Sequence, residues 1–249
     1  MLRWFKGRPK RPRPPQIPPN HRVYAVGDIH GRFDLLLELM DKIERDDAER
    51  SEAKTHVVFL GDLIDRGASS AQVVDYLLHC RTGSAIFHFI AGNHEEALLD
   101  SVRGPKIGLE GWLAYGGRET LISYGVSVGA IATGGILLDS EIQTAIPAEH
   151  VDFIAGFNDS VQIGDYLFVH AGIRPCVPLD QQSSHDMHWI RQEFLSDESD
   201  HGVVVVHGHT ISEKPEFLAN RIGIDTGAYR TGVLTALGLE GSEQWLLST

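Results

Sequence analysis

Val23-Tyr24-Ala25-Val26-Gly27-Asp28-Ile29-His30-Gly31 opens the ordered part of the chain, and Val57-Val58-Phe59-Leu60-Gly61-Asp62-Leu63-Ile64-Asp65-Arg66-Gly67 repeats its form. In each, an apolar β-branched or aromatic run stops at glycine, and an aspartate follows at once. Such a run reads as a buried strand, and the glycine as a tight strand-to-loop turn. Three further words have the same character: Gly92-Asn93-His94-Glu95 after Ile86 to Ile90, His170-Ala171-Gly172 after Tyr166, and Val206-His207-Gly208-His209-Thr210. Each puts Asp, Asn or His where a strand ends.

Working outward, the pattern alternates strand and helix. Leu35, Leu36, Leu39, Met40 and Ile43 make an apolar stripe at helical spacing, and the charged segment Asp41 to Lys54 closes that helix and leads to the next strand. His56 to Leu60 is that strand. Ser69 or Ser70 caps a second helix with Val73, Val74, Leu77 and Leu78 inward. Ile86 to Ile90 is a third strand, and Glu95 opens a third helix. This β-α-β-α-β-α order predicts an α/β (α+β) domain with helices on a parallel or mixed sheet. Later segments read mostly as strands: Val161 to Ile163, Tyr166 to His170, Val203 to His207, Ile222 to Asp225 and Val233 to Leu237. They predict a second sheet packed on the first. Residues 101–149 are poor in strand signals and rich in glycine, with a helix expected around Trp112 to Tyr124; they read as an insertion near the site.

Composition bounds the rest. A chain of 249 residues that is 42% hydrophobic buries a sizeable core. Its net charge of −12 argues against specific nucleic-acid binding. Residues 1–20 differ: six basic residues, no acid and six of the eleven prolines. They read as a basic, Pro-rich, disordered tail before a domain over 21–249. A solvated tail fits this composition best; contact with an anionic membrane or an acidic partner is the functional alternative. The uncharged run Leu121 to Leu138 contains four glycines, including Gly134-Gly135, and is expected to be an irregular segment rather than a membrane span. Cys80 and Cys176 have no disulfide or zinc-cage spacing. With no signal peptide in the first residues, they predict free thiols and a cytoplasmic protein.

Open α/β sheets bind ligands beyond the carboxyl ends of their strands. Here those ends carry Asp28, His30, Asp62, Asn93, His170 and His209. Three imidazoles, two carboxylates and an amide oxygen suit two divalent ions, manganese first, with iron or zinc as alternatives. Asp62 is placed to bridge, with Asp28 and His30 on one ion and Asn93, His170 and His209 on the other. A water trapped between two such ions loses its proton near neutral pH and becomes a nucleophile. The leaving oxygen needs a proton, which His94 is placed to give, with Asp65 orienting its imidazole. Arg66 and Arg191, together with Asn93, would bind the phosphoryl group. Trp189 is expected to pack and so position Arg191. His207 is left between strand residue and metal neighbour, and His185, His188 and His201 are left outside the site.

These words resemble the phosphoprotein phosphatase family of calcineurin-like metallophosphoesterases, from Val23 to about Leu237. The resemblance implies a four-layer fold, a central β-sandwich of two mixed sheets flanked by helices. It assigns the metal ligands of GDxHG, GDxxDRG, GNHE, HAG and GHT to Asp28, His30, Asp62, Asn93, His170 and His209. It makes His94 the general acid with Asp65 behind it, and Arg66 and Arg191 the phosphate arginines. The run His170-Ala171-Gly172-Ile173-Arg174-Pro175 is similar to the bacterial branch. The implied function is hydrolysis of phosphate monoesters, first as a serine/threonine protein phosphatase acting on a phosphoprotein or small phosphoester. The alternative is a dinucleoside polyphosphate (diadenosine tetraphosphate) hydrolase, a group in which the Asp of DRG is often replaced; Asp65 therefore favours the first. A non-catalytic metal-holding module has no need of His94, Asp65 and Arg66 together.

Overall fold

Alternate residues of strand β1 (His21–Val26) face two different cores. Tyr24 and Val26 pack with helices, while Val23 and Ala25 pack against a second sheet. In β2 (Lys54–Phe59), Val57 and Phe59 take the helix side and Val58 the other. A strand that is apolar on both faces needs a layer on each.

The computed structural model describes residues 13–80, 84–103 and 108–249. Two five-stranded mixed sheets form a sandwich flanked by helices, as expected. The first has the order β10-β9-β1-β2-β3, with β3 at Ile86–Phe89, β9 at Thr235–Glu240 and β10 at Glu243–Ser248. The second has the order β4-β5-β6-β8-β7: β4 Ser160–Ile163, β5 Tyr166–Val169, β6 Val204–His207, β7 Glu216–Phe217 and β8 Arg221–Gly223. Helices α1 (Phe33–Glu49), α2 (Ser70–His79) and α3 (Asn93–Arg103) contribute to the core on the outer face of the first sheet. So do the short helices α4 (Leu109–Trp112), α5 (Arg118–Ser123), α6 (Val128–Thr133), α7 (Gly135–Ala145) and α8 (Ala148–Ala155). On the outer face of the second sheet, Leu167, Val169 and Val205 pack with Met187 of α9 (Ser184–Trp189) and Phe194 of α10 (Gln192–Leu195).

Three expectations are revised, and one strand was not foreseen. The strand expected at Val233 to Leu237 is β9, and it joins the first sheet, antiparallel to β1, rather than the second. Leu237 and Leu239 fill the core between the sheets and Ala236 the helix side, an alternation that either sheet would accept. Strand β10, unforeseen because most of its side chains face solvent, closes a hairpin through Gly241. Helix α1 ends at Glu49, inside the charged segment expected to close it, and that end is laced by the i,i+4 pairs Glu38–Lys42, Asp41–Arg45 and Asp46–Arg50. The run from Leu121 to Leu138 is largely helical: Ser127 Oγ caps α6, and the glycine pair only separates α6 from α7. Residues 13–20 are also laid against the fold. Ile17 is buried, its N–H donates to Gly241 O, and Arg13 pairs with Asp165, so the unpacked arm expected through residue 20 does not extend over them. Residues 1–12 lie outside the described residues. Among the described residues no helix is long and apolar enough to cross a membrane.

The topology puts the candidate residues together. Strands β1, β2 and β3 run parallel, and so do β5, β6 and β8. The loops after them interlock: Gly208 N donates to His170 O, and His209 N to Asp28.

Away from that edge, His21, His56 and His88 stack side by side, with ring nitrogens 2.9 Å apart at each step. Burial, then His88, His21 and Lys54, push His56 down to about 4. Its neutral form is therefore the folded form. Its contribution to stability is complete above the unfolded value near 6.5 and is lost as pH falls through about 4. In thermal melts between pH 7 and 4, His56→Gln is expected to flatten the decline of Tm. An unchanged slope would show that His56 is not among the groups responsible.

Candidate active site

Asp62 stands at the centre. Its Oδ2 is 3.4 Å from His30 Nε2 and 3.8 Å from His94 Nε2, and its Oδ1 is 3.4 Å from His170 Nε2. Burial alone would raise this carboxyl, but its imidazole neighbours, of which His94 is the one with a raised pKa, hold it below its usual range. Two clusters share it: His30, Asp62 and His94, and Asp62, His170 and His209.

The lone pairs in this site outnumber the protons available to them. His170 Nδ1 donates to Leu60 O at 2.8 Å, so Nε2 carries no hydrogen. That bare nitrogen faces His209 Nδ1 at 3.0 Å, Asn93 Oδ1 at 3.1 Å and Asp62 Oδ1 at 3.4 Å. His30 spends its Nδ1–H on Ile64 O at 2.8 Å, which leaves Nε2 bare as well. His209 Nε2 is buried with no hydrogen-bond partner among the described residues. Burial, as the leading cause, holds His30 at about 3 and His209 at about 2, so both rings are neutral at ordinary pH. So many acceptors gathered around so few donors call for a cation. Near His30 the cation present is the Arg66 guanidinium, 2.8 Å from His30 Nε2 and 3.1 Å from His94 Nε2.

Asp28 sits one step aside. Its carboxylate accepts from His209 N at 3.0 and 3.2 Å and hydrogen-bonds Asp225, and it belongs to neither cluster. Burial and repulsion by Asp225 and Asp62 raise Asp28 well above the usual carboxylate range; burial is the chief cause holding Asp225 at about 6. Three carboxyls in one dry box are a second demand for divalent charge. The donor set therefore fits two hard-to-borderline ions.

His94 and Asp65 meet as expected. His94 Nδ1 donates to Asp65 Oδ2 at 2.5 Å, and Trp112 Nε1 and Thr120 Oγ1 donate to the same carboxylate at 2.7 and 2.6 Å. Burial opposes charge on His94, but Asp62 and Asp65 outweigh it and raise its pKa. Arg66, Asn93, His94 and Arg191 line one cleft of about 540 Å³ with Trp112, Tyr115 and Trp189. Arg191 Nη1 is steadied by His209 O and Thr210 Oγ1, both at 3.3 Å. The 101–149 segment thus supplies a wall of the site through Trp112, Tyr115 and Thr120.

Backbone strain gathers at the same place. Seven described non-glycine residues have positive φ, and five of them are His30, Asp62, Asp65, Arg66 and His209. Each conformation of this kind costs on the order of 1 kcal/mol and persists only when its surroundings fix it. Two glycines allow the loops to close on the carboxylates: a Cβ on Gly92 would lie 2.2 Å from Asp62 Oδ1, and one on Gly208 2.0 Å from Asp28 Oδ1.

Several site residues escaped the sequence reading. Glu95 is buried and accepts from the backbone N–H groups of Asp62, Leu63 and Gly92, at 2.8–2.9 Å, so it fixes the loop that carries Asp62. Asp225 had the signal of Asp28 and Asp62, an acid at the end of an apolar strand. Tyr229 touches Arg66 through its ring face, 4.7 Å from the guanidinium carbon, and no spacing announced it. His207 is a buried strand residue turned to Gly208 O and outside both clusters. Trp189, expected to pack, is 40% exposed on the cleft.

A family profile described as calcineurin-like phosphoesterase matches residues 21–229. The chain is 24% identical over 240 residues to the bis(5'-nucleosyl)-tetraphosphatase PrpE [asymmetrical] of Halalkalibacterium halodurans, covering 85% of this chain and 87% of that one. Among solved structures it is similar to a putative diadenosine tetraphosphatase, with TM-score 0.63, 20% identity, and 95% and 98% of the two chains covered. It is also similar to a cold-active protein-tyrosine phosphatase of Shewanella sp., with TM-score 0.57, 20% identity, and 93% and 80% covered. With its sandwich, its two clusters around Asp62 and a match over most of its length, the chain belongs to the calcineurin-like phosphoesterase family and is a hydrolase of phosphoric esters.

Proposed function

We propose that this protein hydrolyses a dinucleoside polyphosphate of the diadenosine tetraphosphate type. The observation that carries this reading is the cleft of about 540 Å³, which continues from Arg66 and Arg191 to two partly exposed aromatic rings and has room for more than a phosphoryl group. The similarity to bis(5'-nucleosyl)-tetraphosphatases over most of both chains supports it. Serine/threonine phosphatase activity, the first expectation from the sequence, becomes the second reading. The His94–Asp65 contact favours it, because a serine alkoxide needs a proton to leave and a nucleotide does not.

Asp28, His30 and Asp62 would hold one divalent ion, and Asp62, Asn93, His170 and His209 the other, with manganese the first candidate. When bound, such ions activate water and neutralise phosphate oxygens. The chain's own residues do the rest. Arg66 and Arg191 clamp the phosphoryl oxygens, with Asn93 beside them. His94 would deliver a proton from Nε2 where the leaving oxygen needs one, while Asp65 holds Nδ1–H and fixes the ring. Trp112 and Thr120 keep Asp65 in place.

Four outcomes test this. With manganese supplied, kcat/KM on diadenosine tetraphosphate is expected to exceed that on a phosphoserine peptide and on p-nitrophenyl phosphate; a tenfold preference for the peptide would reverse the two readings. Asp62→Asn is expected to lower the content of both ions, measured by elemental analysis, and to abolish turnover. Retention of both ions with full activity would refute its shared role. His94→Asn is expected to cost roughly 10²–10⁴-fold in kcat on phosphoserine peptide and clearly less on p-nitrophenyl phosphate. Arg66→Ala should harm both substrates alike. Equal losses for His94→Asn would remove the proton-donor role.

A further inference from the structure

Trp189 and Tyr115 line the cleft beyond the two arginines, and they are 40% and 74% exposed. Trp189 is nevertheless firmly held. Its Nε1 donates to Glu96 Oε2 at 3.1 Å, and His188 Nδ1 donates to the same oxygen at 2.7 Å. His188 Nε2 donates in turn to Asp159 Oδ1 at 3.0 Å, and Ser184 Oγ anchors the other oxygen of Asp159 at 2.7 Å. An imidazole that donates from both nitrogens is an imidazolium. Burial opposes that charge, but Glu96 and Asp159 prevail and raise the pKa of His188. The indole N–H is thus committed to the protein, and its orientation is fixed by a relay of four side chains. His185 lies against the ring, with centroids 6.2 Å apart and planes 26° apart.

A fixed, partly exposed indole is an expensive object to keep in solvent, and it suits a flat partner. Gly108 and Gly111 line the cleft beside Tyr115, and among the described residues nothing lies within 4 Å of where their side chains would be. The carboxylates of Glu96 and Asp100 also line the cleft; they accept hydrogen bonds and suit an exocyclic amino group.

We propose that Trp189, with Tyr115, forms the base-stacking platform of a purine-nucleotide subsite, and that Glu96 is the residue that positions it. The proposal rests on the dinucleotide reading above and gives that substrate a place for one of its bases.

The test compares Trp189→Ala, Trp189→Phe, Glu96→Ala and Glu96→Gln, each checked for folding and metal content. It reads the KM for diadenosine tetraphosphate against the Ki of inorganic tripolyphosphate, which has the phosphates without the bases. Trp189→Ala is expected to raise the ratio of KM to Ki roughly 5- to 150-fold, the range for loss of one base–aromatic stack, with a much smaller effect on kcat. Trp189→Phe should restore most of it. Glu96→Ala should raise the ratio less, and Glu96→Gln, which keeps an acceptor, should recover it. An equal rise in KM and Ki would mean that Trp189 only supports Arg191, and no rise would exclude stacking; either overturns the proposal. A phosphotyrosine peptide whose KM is more sensitive to Trp189→Ala than that of the dinucleotide would reassign the platform to a phenol ring and overturn the nucleotide class. A second arm titrates ADP and pyrophosphate into the protein and follows tryptophan fluorescence. Quenching by ADP alone, lost in Trp189→Phe, is expected, and no difference between the two would sink the subsite. ADP quenching without hydrolysis of diadenosine tetraphosphate would refute the functional reading and leave the subsite standing. Hydrolysis that does not depend on Trp189 would do the reverse.

Discussion

A carboxylate kept ionised out of water is the constraint on which this structure depends. Asp62 is buried between four imidazoles, and each of the loops around it is shaped to keep it there. Glu95 ties its backbone N–H, Gly92 presses close enough that a methyl group would displace it, and His30, His94 and His170 surround its oxygens. None of this is a low-energy arrangement for a chain alone. Left-handed backbone at Asp62, Asp65 and Arg66 adds strain to the electrostatic cost. The two-sheet sandwich supplies the stability that offsets both. Its parallel strands deliver six loops to one edge, where each holds the others.

That division explains what could be read in the sequence. Apolar runs ending in Gly-Asp, Gly-Asn-His or His-Gly-His mark both the strands and the loop residues that follow, so Asp62, His30, Asn93, His170 and His209 were legible together. Glu95 lies within one of these words, yet the word does not disclose what it does. Its role is to accept backbone N–H groups from a loop thirty residues away, which is a tertiary fact. Asp225 was legible in principle, since it ends a strand as Asp28 does. The placement of β9 was not: a strand with Ala236 on one face and Leu237 and Leu239 on the other satisfies either sheet, and only the pairing with β1 decides. The helices of the Gly-rich segment were hidden for a similar reason. Ser127 and the turn at Gly134 define α6, and short helices of low amphipathicity leave little periodic signal.

Two parts of the cleft favour different substrates, and the conflict is informative. The Asp65–His94 pair, reinforced by Trp112 and Thr120, would suit giving a proton to a poor leaving group. The Trp189–Glu96–His188–Asp159 relay is built to hold a flat surface where a phosphoserine has nothing to place against it. A general acid costs little to an enzyme acting on anhydrides, and it widens the range of esters the same site can open. An exposed, immobilised indole does carry a cost to a phosphatase that reads only a phosphoryl group, because it leaves apolar surface in water and orders four side chains to keep it there. The aromatic wall is therefore the more discriminating feature, and it weighs toward a nucleotide substrate. Both features rest on the same helix. His94 opens α3 and faces the clusters, while Glu96, two residues on, reaches His188 and Trp189. The residues that would do chemistry and those that would choose the substrate are thus set against one another by a single turn of helix.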